Sequence, residues 1–170
     1  MTLITSNYEK YKKRFNFRGI FAPTLTSELI IKFSDNYLLK HQRILDLGCG
    51  GGIISASLYK KKLNQSFYLS DLDFLSVKRA TKNLGLIKGN FTIKQGNLFE
   101  PWKKQKFDLI INDVSGVSSH VAKISPWFKN VPIDSSTRGT SLLKKVVKKC
   151  EKYMNSNSTI ITPIISLSDV

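Results

Sequence analysis

Four short stretches of this 170-residue chain hold the side chains and backbone turns most suited to chemistry. The first is Ile44-Leu45-Asp46-Leu47-Gly48-Cys49-Gly50-Gly51-Gly52-Ile53, an apolar run entering a glycine turn and leaving as a helix. Without Cβ atoms such a turn lets main chain approach a ligand closely and permits positive φ. The second is Phe67-Tyr68-Leu69-Ser70-Asp71-Leu72. Asp71 ends an apolar run about 20 residues beyond the loop, where a carboxylate accepts hydrogen bonds from ribose hydroxyls. Asp73 is placed to cap the helix that follows. The third is Gly96-Asn97-Leu98-Phe99, in which the Asn97 side-chain oxygen is a neutral hydrogen-bond acceptor. Together these describe a pocket for a nucleoside-bearing ligand. The fourth, Asn112-Asp113-Val114-Ser115, follows another apolar run. There Asp113 reads as a general base, as a holder of a cationic substrate, or as a loop carboxylate that caps its own turn.

The elements that must position these groups alternate between strand-like runs and helical periodicity from Arg43 onward. That alternation is the pattern of an α/β fold: a mostly parallel sheet with helices on both faces. The expected strands are Arg43–Leu47, Ser66–Ser70, Phe91–Lys94, Phe107–Ile111 and Thr159–Ile164; the expected helices are Ile53–Lys61, Phe74–Leu84 and Thr140–Met154. Ahead of the first strand, Leu25, Leu29, Ile30, Phe33, Tyr37 and Leu38 recur at helical spacing after Pro23. Residues 1–22 read as a basic-aromatic helical arm outside the sheet, with Lys10, Lys12, Lys13 and Arg14 interleaved with Tyr8, Tyr11, Phe15 and Phe17; residues 23–170 form the ligand-binding domain. The span Asn112–Gly139 is loop-rich, with a helical turn or two over Val117–Ile124. Being at the carboxyl end of a strand, where open α/β sheets bind ligands, it offers His120, Trp127, Phe128, Lys129 and Arg138 as substrate contacts or as plain surface.

Composition narrows the partners. A formal charge of +15 from 27 Lys+Arg against 12 Asp+Glu attracts polyanions, so RNA or a ribosomal component is the expected partner; solvated surface lysine is the bland alternative. Lysines 60–62 and 144–149 would form a polyanion groove if their helix faces lay on one side. No apolar run reaches the roughly 20 residues of a membrane span, and the two cysteines suggest neither disulfides nor a metal cluster. The expectation is a cytoplasmic protein without a metal and without a membrane partner.

These motifs carry a family resemblance. Gly48, Gly50 and Gly52 after Asp46 make the D-x-G-x-G-x-G pattern rather than G-x-G-x-x-G, whose third position here is Ile53. With Asp71-Leu72-Asp73 and Ala80…Asn83, this resembles the class I S-adenosylmethionine-dependent methyltransferases. Gly19-Ile20-Phe21-Ala22-Pro23-Thr24, Gly96-Asn97-Leu98-Phe99-Glu100-Pro101-Trp102 and Lys106-Phe107-Asp108-Leu109-Ile110-Ile111-Asn112 are similar to the HemK-type and small-domain members, which modify glutamine in release factors or bases in ribosomal RNA. The resemblance covers most of the chain. It implies S-adenosylmethionine as cofactor, with Asp46, Gly48, Cys49, Gly50, Gly52, Asp71, Leu72, Asn97, Leu98 and Asn112 around it, and Asn112 and Asp113 at the reacting end. Those families carry N-P-P-Y where this chain has Asn112-Asp113-Val114-Ser115; only the asparagine matches, so the aromatic ring that stacks on a planar NH₂ group is lacking.

The expected activity is methyl transfer to a macromolecule, RNA or a ribosome-associated protein. The alternatives are a cofactor-binding or RNA-binding module without turnover, and an NAD-binding oxidoreductase. The family fold implies two further strands for which no sequence remains after Ile165, so a five-strand sheet with an open edge at Thr159–Ile164, able to self-associate, is expected.

Overall fold

The computed structural model describes residues 3–126 and 136–164. In chain order the elements are α1 (Leu3–Arg14), α2 (Leu25–Asp35), β1 (Arg43–Leu47), α3 (Ile53–Leu58), β2 (Ser66–Asp71), α4 (Phe74–Leu84), β3 (Asn90–Gln95), β4 (Phe107–Asn112), α5 (Ser119–Ile124), α6 (Ser141–Cys150) and β5 (Met154–Ile161). The five strands form one sheet in the order β3-β2-β1-β4-β5, and every neighbouring pair is parallel. The order reverses between β1 and β4, which opens a crevice above their carboxyl ends.

Side-chain alternation along the strands divides the core in two. On one face Ile44, Phe67, Leu69, Leu109 and Ile111 pack with Ile30, Ile31, Ile54, Leu58, Ala80 and Leu84 from the helices. On the other, Leu45, Leu47 and Ile110 pack with Trp102, Phe99 and Val146. The first face also takes Tyr8, Tyr11 and Phe15 of the N-terminal segment. This helix lies outside the sheet, as its sequence implies, but its i, i+3, i+7 aromatic stripe is buried in the main core while its basic residues face solvent.

Three boundaries differ from expectation. α3 stops at Leu58, because Tyr59 is extended (φ −61°, ψ 123°) and Lys61–Leu63 forms a separate 3-10 turn. α6 gives way at Cys150 to a 3-10 turn over Glu151–Tyr153. The last strand starts at Met154 and ends at Ile161, displaced from the expected Thr159–Ile164. Its polar start joins the sheet through side chains: Asn155 donates from Nδ2 to Asp108 Oδ1 (2.6 Å), and Ser158 donates from Oγ to the Phe107 carbonyl (2.6 Å). The register shifts between Phe107 and Leu109 to admit them.

Lysines 60–62 do not join lysines 144–149 in one groove. The former follow α3, which packs on the first face, and the latter belong to α6, which packs on the second; Lys60 pairs with Asp35. Among the described residues no helix is long and apolar enough to cross a membrane.

Candidate functional site

The crevice above β1, β2 and β4 has a volume of about 400 Å³, within the range of small-molecule sites. Its floor is the turn after β1. Gly48 and Gly52 adopt φ of +74° and +80°, and Gly50 +50°, a region that L side chains enter at a cost of ~1–2 kcal/mol. The turn is fastened to β2: Gly48 and Cys49 donate their N–H groups to the Ser70 carbonyl (2.9 and 3.1 Å), and Gly50 donates to Asp71 Oδ2 (2.9 Å). Asn83 clamps it from behind. Its Nδ2 donates to the Gly51 carbonyl (2.9 Å), and its Oδ1 accepts from Asn16 N–H (3.0 Å).

Gly48 is needed for a second reason. A Cβ there would lie 3.0 Å from the Asp113 carbonyl oxygen and 3.1 Å from Val114 Cα, both main-chain atoms of the segment leaving β4. Gly48→Ala is therefore expected to cost ~1–2 kcal/mol for the left-handed φ alone, and to weaken ligand binding because the loop or the β4 exit must shift. Thermal melting and ligand calorimetry on the variant measure the two effects.

Asp71 is a prepared acceptor. Besides Gly50, it accepts from Asp73 N–H through Oδ1 (2.9 Å). Burial pushes its carboxyl above the usual range, and the Asp73 and Gly50 amides pull it back. Asp73 caps α4 by accepting from Ser76 N–H (2.8 Å), as expected. Leu72, Asn97 and Leu98 line the same crevice. Leu98 holds a positive φ of 51°, and its carbonyl accepts from Ser70 Oγ (3.3 Å). A glycine turn, a carboxylate fixed by two amides, and an asparagine-bearing loop thus converge from β1, β2 and β3, an arrangement that fits an adenosyl amino acid with its sugar at Asp71.

Three residues expected at the ligand surface do not line this crevice. Asp46 is fully buried under the turn, where its Oδ2 accepts from Ser55 Oγ (2.6 Å) and its Oδ1 has no partner. Gly52 serves as the N-cap of α3, where a Cβ would lie 3.0 Å from Leu84 Cδ1. Asn112 is 2% exposed, and its Nδ2 donates to Thr162 Oγ1 (2.8 Å). Strand alternation explains it: Asn112 shares parity with Ile110 and turns toward α6, whereas Asp113 turns toward α2. Asn112 instead borders a small adjoining pocket with Ser115, Thr140, Leu143 and Thr162.

Asp113 does line the crevice. Its N–H extends the ladder by donating to the Leu47 carbonyl (2.9 Å), and its Oδ2 accepts from Ser27 Oγ (3.3 Å). Burial raises its carboxyl to about 8, Asp46 adds to the rise, Ser27 opposes it and Asp71 adds again. Burial likewise raises Asp46 to about 6, against the Ser55 hydrogen bond.

Both folded-state values exceed the ordinary 3.8. Between the unfolded and folded values, the native chain binds more protons than the unfolded one, so these groups make stability fall as pH rises. The melting temperature is expected to increase from pH 8 to pH 5 through these two groups, and Asp46→Asn to flatten the pH 4–6 part of the curve. Thermal unfolding across that range checks it; a flat wild-type profile would contradict it.

Phe17, Ser27, Lys145 and Pro163, for which no sequence motif implies a ligand role, also line the crevice with Phe21. Phe17 and Phe21 belong to the segment read as an arm; the glycine at 51 held a signal, since a Cβ there would lie 2.7 Å from the Phe17 ring. His120 is exposed on α5 and does not line the crevice, and neither does the exposed Arg138. Trp127, Phe128 and Lys129 lie outside the described residues.

Comparison with known proteins agrees with this geometry. Residues 22–113 match the family described as "Methyltransferase small domain". The chain is 27% identical over 158 residues to a release factor glutamine methyltransferase of Thermodesulfovibrio yellowstonii, covering 86% of this chain and 56% of that protein. It is 30% identical over 91 residues to a ribosomal protein L11 methyltransferase of Listeria monocytogenes, covering 52% and 29%. The chain therefore spans from under a third to a little over half of these curated relatives. Among solved structures, a methyltransferase from Pyrococcus furiosus superposes with a TM-score of 0.63 at 16% identity, over 92% of this chain and 74% of that one. The fold is the Rossmann-like fold of class I methyltransferases.

Proposed function

Because this chain belongs to the methyltransferase small domain family, we propose that it transfers a methyl group from S-adenosylmethionine to a macromolecule of the translation apparatus. The observation that carries the cofactor assignment is Asp71. It is held by the amides of Gly50 and Asp73 on the crevice wall beside the glycine turn, where it can accept from a ribose diol. S-adenosylmethionine supplies, when bound, a methyl group already activated on a sulfonium. The protein's share is to bind, align and exclude water. Gly48 and Gly50 bring main chain against the ligand, Asn97 offers an acceptor to its base, and Asp113 stands at the acceptor end. An acceptor on RNA or on a ribosome-associated protein is supported by the +15 charge and by the names of the release factor and L11 relatives.

Calorimetry with S-adenosylmethionine and with NAD tests the cofactor; tighter binding of NAD would overturn it. Methyl-labelled cofactor incubated with cell extract, then separated into RNA and protein fractions, tests the reaction. Label in either fraction supports a macromolecular acceptor. Cofactor binding with label in neither favours a binding module without turnover, the reading that the departure from N-P-P-Y supports.

A further inference from the structure

Residues 10–19 and 74–88 contain no aspartate or glutamate. The first stretch carries Lys12, Lys13, Arg14 and Arg18, and the second carries Lys78, Arg79 and Lys82; all but Arg79 are exposed. Glu9 is the one carboxylate of α1. Three contacts join the two stretches into a single surface. Asn16 N–H donates to Asn83 Oδ1 (3.0 Å), Arg79 Nε donates to the Arg18 carbonyl (3.1 Å), and a Cβ on Gly19 would lie 3.0 Å from Leu75 Cδ2. Fixing Nε orders a guanidinium whose fork matches a phosphate.

Cations alone would be solvated surface. On α4, however, Phe74, Lys78 and Lys82 recur at i, i+4 and i+8 and share one exposed ridge, with Phe74 63% exposed at its head. That ring stands beside the crevice mouth: Leu72, two residues earlier, is 54% exposed and lines the crevice, as does Phe17 of the arm. Positive charge beside an exposed aromatic face is the pairing that holds the phosphate and the base of an unpaired nucleotide. A duplex would keep its bases from the ring, and an acidic protein would engage the cations and leave the ring idle. α6 also exposes Lys144, Lys145, Lys148 and Lys149, but it packs on the opposite face of the sheet, and its exposed apolar residue, Val147, cannot stack.

We propose that the surface shared by α1, residues 16–19 and α4 is a docking site for single-stranded RNA, with phosphates on Arg18, Lys78, Arg79 and Lys82 and a base stacked on Phe74. The inference rests on the macromolecular part of the reading above and gives that partner a place on the fold; it does not depend on which atom receives the methyl group. The strand enters from the end of α1, follows the α4 ridge and reaches the crevice mouth at Phe74.

Fluorescence anisotropy with a single-stranded oligoribonucleotide of about ten nucleotides tests this. For about four phosphate contacts, log K is expected to fall against log salt with a slope near −3. The pair Lys78→Glu and Lys82→Glu should weaken binding about 30-fold at about 0.1 M salt and bring the slope to about −1.5. Phe74→Ser should weaken it about ten-fold with the slope unchanged. The pair Lys148→Glu and Lys149→Glu makes the same change in net charge on α6 and should cost no more than about three-fold, since it acts only through the screened field. Equal losses in the two charge pairs would overturn the proposal, and so would wild-type affinity in Phe74→Ser. Polyglutamate of the same length binding as tightly as the RNA would also overturn it, in favour of an acidic protein. None of these substitutions touches a crevice residue, so calorimetry with S-adenosylmethionine reports separately on the cofactor: absence of binding there would remove the cofactor reading and leave this surface standing.

Discussion

Asp71→Ala is expected to weaken S-adenosylmethionine binding about 100-fold, since hydrogen bonds to a charged acceptor are each worth ~1.5–3 kcal/mol. The carboxylate serves the ligand and the loop together. Asp71 lines the crevice, while Gly50 and Asp73 donate to it at 2.9 Å each. Removing it strips the sugar of an anionic partner and releases the amide that fixes the glycine turn. Asp71→Asn is the sharper variant: size and shape persist, but an NH₂ group must then face one of two N–H donors. It should lose most of the same affinity. Calorimetry measures both variants; binding within two-fold of wild type would remove Asp71 from the site.

Trp102→Ala is expected to destabilise the fold by ~3–5 kcal/mol, the usual cost of emptying a buried aromatic position. Trp102 is fully buried and meets Tyr68 and Phe107 edge-on at 5.6 and 6.1 Å between ring centroids. Its Nε1–H donates to Ser70 Oγ (3.0 Å), and that hydroxyl donates to the Leu98 carbonyl. The indole thus reaches the crevice wall in two bonds and helps to hold Leu98 at its positive φ. Because domains have only ~5–15 kcal/mol of net stability, the alanine variant should unfold at much lower urea. Trp102→Phe keeps a ring but not the N–H, and should cost ~0.5–1.5 kcal/mol with a further loss of cofactor affinity. A urea midpoint unchanged in the alanine variant would contradict this account.

Much of the architecture was legible because local pattern and tertiary demand agreed. β1 and its turn were read to the residue: glycine adopts those left-handed backbone angles at the least cost, so their chemistry is written in the sequence. α4 was likewise bounded correctly by Asp73 and Leu84, a cap and an apolar stripe pointing the same way. β5 was misplaced because apolar runs stand for strands. The run Ile160–Ile164 drew the boundary late, while Asn155 and Ser158 enter the sheet by side-chain bonds that carry no periodic signal.

The site was legible by residue type more than by direction. Asp71, Leu72, Asn97, Leu98 and Asp113 line the crevice. Asn112 does not, because one step along a strand turns a side chain to the opposite face, and the family likeness fixed a position rather than an orientation. Phe17 and Ser27 escaped notice since each acts across a gap in sequence, Phe17 against Gly51 and Ser27 on Asp113.

The Asn83 clamp has a mechanical meaning. One side chain holds the Gly51 carbonyl with its nitrogen and the Asn16 amide with its oxygen, so the stretch just after the cationic first helix and the floor of the crevice are bonded to the same residue. A polyanion that gripped Lys12, Lys13 and Arg14 would bear on a segment bonded to the floor of that crevice. Docking of the large substrate and seating of the small one would then reinforce each other to the same degree in either order, as linkage requires.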